Sequence, residues 1–117
     1  MRKITTAIIV CLLICQPVFA SENRGKTTEY MEQVILRLMA DPIYNAITDY
    51  YGQSRQYWKD KLVDIKETPE TPYFEVIVQV ETFCGAHNAP YGIEIMTFHV
   101  SYGNTELMKF EHHEKSY

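Results

Sequence analysis

The hydrophobic rhythm of this chain changes twice along its length. Ile4 to Cys15 is an almost unbroken apolar run. Met31, Val34, Ile35, Leu38 and Met39 then recur at helical spacing, with Glu29, Glu32, Gln33 and Arg37 between them. That spacing predicts an amphipathic helix starting near Thr27 or Thr28, its apolar stripe turned toward a core. Asp41-Pro42 restarts the pattern as an N-cap followed by a proline in the first turn, and Ile43, Ala46, Ile47 and Tyr50 carry an apolar face to Gly52, a residue suited to ending a helix in a left-handed conformation.

From Tyr57 onward the period becomes two. Val63, Ile65 and Glu67 share one face of a first strand, and Leu62, Asp64 and Lys66 share the other. Pro69 and Pro72 interrupt it. Phe74, Val76, Val78, Val80 and Thr82 alternate along a second strand, and the valine side is the one expected to meet the helices. Met96, Phe98, Val100 and Tyr102 alternate along a third strand, and a turn at Gly103-Asn104 leads into a fourth from Glu106 to His112. The predicted architecture is α+β, two helices on a three- to four-stranded antiparallel meander sheet, a layout for which cystatin-like and nuclear-transport-factor-like cones are models. Residues 27–112 form its single domain, 21–26 a flexible start and 113–117 a frayed tail.

The first apolar run is read as an address. Arg2 and Lys3 precede it, and Val18-Phe19-Ala20 ahead of Ser21 offers a small-residue cleavage site, so residues 1–20 are read as a secretory signal peptide. A membrane-crossing helix needs about 20 apolar residues, and this run is shorter, so its membrane contact is expected to be transient. Cleavage would leave Cys84 as the sole cysteine of the three, with no intramolecular disulfide to supplement the core. It would also remove Arg2 and Lys3, so nine basic side chains would face 15 acidic ones and the net charge would move from −4 to −6. An acidic surface disfavours nucleic acid.

Between the second and third strands lies the most distinctive stretch, Cys84 to Gly92, read as a connection longer than a tight hairpin. In it, Gly85 and Gly92 are expected to supply unusual dihedrals while His87, Asn88, Pro90 and Tyr91 bond and stiffen the loop. The Val-Gln-Val-Glu-Thr-Phe strand before it, the Gly-x-His-Asn-x-Pro-Tyr-Gly loop, and the following Ile-x-x-x-Thr-Phe together resemble a functionally uncharacterised family of short, exported proteins from Gram-positive spore-forming bacteria. The resemblance extends to the leader and to Asp49-Tyr50-Tyr51-Gly52. It implies export and small size, and it assigns no catalytic or binding residue.

The residues themselves offer three chemistries. Cys84 and His87 offer a nucleophile and a base for a thiol-dependent enzyme or redox protein, but no third orienting group accompanies them. Cys84-x-x-His87 is half of a zinc signature, and His112 and His113 point to opposite faces of a strand, so no metal site or cofactor is expected. Tyr44, Tyr50, Tyr51, Tyr57 and Trp58, with Asn88 and Tyr91 in the loop, offer flat amphipathic surfaces for a ligand. The favoured reading is therefore a non-enzymatic binding or interaction module, with an envelope protein or a cell-wall component as partner. A dimer joined through Cys84 is a further option.

Overall fold

The computed structural model describes residues 17–69 and 72–116, with side chains from residue 24 onward. Residues 1–16, which carry most of the expected leader, lie outside the described residues. Two helices, α1 (Pro17–Leu38) and α2 (Ala40–Tyr51), precede four strands: β1 (Gln56–Glu67), β2 (Phe74–Cys84), β3 (Asn88–Ser101) and β4 (Asn104–Lys115). The strands form one antiparallel sheet in the order β1-β2-β3-β4, so the α+β meander read from the periodicity is the fold. The chain divides into two compact units within α1, Met1–Val34 and Ile35–Tyr117. No helix among the described residues is long and apolar enough to cross a membrane.

In the first unit, α1 begins at Pro17 rather than near Thr27 and runs through residues 21–26. Tyr30, Met31 and Val34 are exposed there, Met31 at 58 %. The apolar stripe expected to face a core is therefore only partly used: in the second unit Leu38 is 76 % exposed, and Met39 is buried. Leu36, outside that expected stripe, is buried instead.

The reason lies in the helix junction. Met39 N–H donates to Ile35 O and Ile43 N–H to Met39 O, both at 3.0 Å, so the helical ladder carries across the break. One stripe, Leu36, Met39, Ile43, Ala46 and Ile47, then runs continuously over both helices and is the buried one. Met39 occupies the N-cap position without a side-chain bond, and Asp41 sits inside the first turn rather than capping it. Pro42 fits because first-turn N–H groups lack intrahelical partners, while its ring crowds the carbonyl four residues back and ends α1. Gly52, at φ +69°, closes α2 with its N–H on Thr48 O at 2.9 Å.

Val76, Val78 and Val80 of β2, with Met96 and Phe98 of β3, meet this stripe as the second half of the core. In β1 the expected alternation is broken. Register slips between Trp58 and Lys61 and again between Leu62 and Asp64, and Lys59 adopts φ +51°. Leu62 pairs with Val78 and Ile65 with Val76, which puts both on the helix-facing side although the sequence pattern separates them. β4 continues to Lys115, pairing with Tyr91, so residues 113–115 belong to the sheet rather than to a frayed tail.

The difference between Leu38 and Ile47 is open to measurement. Leu38→Ser should shift stability by no more than about 0.5 kcal/mol, whereas Ile47→Ala, at a fully buried position, should cost about 2–5 kcal/mol in urea denaturation.

Candidate functional site

The polar side chains converge at one end of the sheet, where α2 stops, β1 starts, the β2–β3 hairpin turns and β4 finishes. Glu94 is completely buried on β3, in phase with Met96 and Phe98 on the core side. Thr82 on β2 is fully buried too and donates to Glu94 Oε1 at 3.0 Å. Tyr51, at the last turn of α2, donates its phenolic proton to the same oxygen. His112, opposite Glu94 on β4, places Nδ1 at 2.9 Å from both carboxylate oxygens. Tyr51, Thr82 and His112 thus gather around one buried carboxyl group, and in the tautomer that carries its proton on Nδ1 the imidazole is a third donor to it.

Gly92 makes this packing possible. A Cβ at that position would lie 2.3 Å from Glu94 Oε1, 2.7 Å from Thr82 Oγ1 and 2.8 Å from Tyr51 Oη. Its φ is not positive, so Gly92 is required for space and not, as the sequence reading had it, for an unusual dihedral. Gly85 does take φ +52°.

Tyr51 feels this environment. Its phenol is pushed up to about 12, first by burial and then by the hydrogen bond to Glu94. The folded chain therefore holds that proton more tightly than the unfolded chain, where it leaves near 10.0. The resulting stabilisation is complete below pH 10 and is lost as pH rises toward 12. Because the ring is partly exposed, solvent screening reduces the loss to about 1–2 kcal/mol. Tyr51→Phe should lack this alkaline component when urea midpoints are compared across that range.

Beside the network, Gly52 releases the chain into a short linker. Arg55 in that linker is only 9 % exposed, lies 4.3 Å over the Tyr51 ring and donates from Nη2 to Pro90 O. It forms one wall of a polar cavity of about 350 Å³, together with Tyr44, Gln53, Ser54, Gln56 and Cys84. A second cavity of about 480 Å³ is apolar, lined by Ile35, Leu38, Ile65, Phe74 and Val100 on the helix-facing side of the sheet.

The β2–β3 connection is tighter than the sequence reading had it. Cys84 pairs with Asn88, only residues 85–87 turn, and Asn88 to Gly92 are already strand. The left-handed conformations of Gly85 and of His87, at φ +62°, turn the chain within three residues. His87 then stacks on Trp58 with centroids 4.4 Å apart and planes 12° apart, while Phe83 meets the His87 ring at 4.5 Å. Tyr91 Oη donates to His87 O at 2.6 Å. Cys84 is a half-buried free thiol in the wall of the polar cavity, and no hydrogen bond joins it to His87.

The tyrosines read as binding candidates take different places. Tyr44 lines the polar cavity, Tyr50 stacks on Phe110 at 4.6 Å, and Tyr51 belongs to the Glu94 network. Tyr57 packs half-buried against the core, where burial raises its phenol, and Asn88 is exposed at the hairpin. Among the described residues no three His, Cys, Asp or Glu side chains converge as metal ligands. His112 and His113 do point oppositely, His112 into the network and His113 outward. On the outer sheet face Glu81 is held between Lys59 Nζ, at 3.2 Å, and Lys115 Nζ.

Glu94 is not among the residues the sequence singles out, while His112 enters there only as a possible metal ligand and Gly92 only for its dihedral. A signal for Glu94 was present, since a carboxylate stands in phase with Met96 and Phe98 and must find partners when buried.

The sequence profile of a family described as "Protein of unknown function (DUF3888)" matches residues 31–114. The chain belongs to that family. The match begins inside α1, takes in all four strands and covers every residue of the network and the polar cavity. No curated protein and no solved structure matches the chain. Family membership thus fixes a domain, while its chemistry has to be argued from the side chains.

Proposed function

We propose that this DUF3888 domain is a non-enzymatic binding module that works outside the cytoplasmic membrane, at the cell envelope. The observation that carries the reading is the polar cavity beside Arg55. Its walls come from α2, the linker, the start of β1 and the β2–β3 hairpin, so hydrogen-bonding side chains are presented from a braced frame. Tyr44 adds a ring that is 40 % exposed at the rim, of the kind that stacks on sugars or peptides. The buried carboxyl group of Glu94 is committed to internal bonds with Tyr51, Thr82 and His112. Residues 1–20, with their basic start, apolar run and small-residue end, support export.

The test is retention of the full chain on intact envelopes and on purified cell walls. Retention that falls several-fold with Tyr44→Ala is expected. A chain that washes through both, or is retained equally by the variant, would overturn the reading.

A further inference from the structure

Resting on that reading, the cavity also declares the charge of what it takes. Arg55 carries a permanent positive charge into a site where it is more than nine-tenths buried. Buried charges are ordinarily paired, because desolvation is costly. Yet the buried carboxylates of the described chain are occupied elsewhere. Glu81 lies between Lys59 and Lys115, and Glu94 receives Tyr51, Thr82 and His112. Arg55 itself has only the face of Tyr51 and the carbonyl of Pro90, and its Nε is buried with no acceptor. None of the residues lining the cavity is acidic.

We propose that this cavity binds the free carboxylate of a small molecule that also carries amide or hydroxyl groups. A carboxylate matches the planar guanidinium in shape and charge and gives the buried charge of Arg55 the counter-ion that the described chain itself does not place beside it. Gln53, Ser54 and Gln56 offer donors and acceptors to the neighbouring polar groups. The volume, about 350 Å³, lies at the small end of ligand sites and suits a terminal residue or one sugar rather than a long chain. At an envelope such carboxylates come from peptide C-termini and from acidic sugars, and the cavity chemistry is common to both.

The experiment follows the Arg55 Nε–H resonance of the full, nitrogen-labelled chain during titration. The probes are N-acetyl-alanyl-alanine and N-acetylmuramic acid, each against its uncharged partner, the dipeptide amide and N-acetylglucosamine. At least one acid is expected to move the resonance, and its partner to bind at least about tenfold more weakly; which acid does so identifies the source. Arg55→Gln should remove the difference, and Arg55→Lys should keep part of it. The acid–neutral comparison on the unaltered chain stands even where a variant fails to fold. Equal binding of acid and partner, or no shift with either acid at millimolar concentration, overturns the assignment. Should both acids fail while envelope retention persists, the carboxylate site falls and the binding module stands. Acid binding without envelope retention has the opposite meaning.

Discussion

Glu94→Ala should destabilise the domain by about 3–5 kcal/mol, read as a lowered urea midpoint followed by Trp58 fluorescence. The carboxylate it removes is completely buried and is the shared acceptor for Tyr51, Thr82 and His112. Truncation removes the acceptor those three groups share, and the fully buried Thr82 hydroxyl loses its partner inside the core. Glu94→Gln separates shape from charge. Its Oε1 can still accept from Tyr51 and Thr82, and its amide can donate to His112 Nδ1 once the imidazole proton moves to Nε2. We expect a cost of about 1–2 kcal/mol for the amide, and an alanine variant as stable as the amide one would contradict the network.

Gly92→Ala should cost about 3 kcal/mol although it adds a single methyl group. The atoms in its way are side-chain ends, which on an open surface would step aside. Here Glu94 and Thr82 are fully buried and are bonded to each other and to Tyr51, so moving one breaks another's hydrogen bond. The two substitutions should therefore be non-additive. In a Glu94→Ala background the nearest obstacle is gone, and Gly92→Ala should cost at least about 1 kcal/mol less than in the parent chain. Additive costs would place the strain elsewhere.

The layout was legible because period and punctuation agreed along most of the chain. The valines of β2 and the Met96-Phe98 pair marked the core side, Gly52 marked the end of α2, and the meander followed from the turns. The stripe on α1 misled because its spacing is helical and several of its residues point outward. Leu36-Met39-Ile43-Ala46-Ile47 is equally regular, but it becomes visible only when the ladder is carried through the Asp41-Pro42 junction. In β1 no local signal separates an extra residue from plain alternation, so the pattern sets Ile65 opposite Leu62, whose face it shares. The candidate site was half legible. Tyr44, Tyr51 and Cys84 were singled out, yet their actual neighbours, Arg55, Glu94 and His112, join them through pairing across the sheet and through the turn at Gly52. Sequence separation hides such company.

The two register slips in β1 also shape the open margin of the sheet. As the first strand of the sheet, β1 has no neighbouring strand for one row of its backbone donors and acceptors among the described residues. A flat row of that kind invites another chain to extend the sheet. Here the bulges bend the row twice, and Lys59, Asp60, Lys61, Asp64 and Lys66 stud it with charges of both signs. The irregularity that spoils the alternation thus also spoils the template for fibrous addition along that margin.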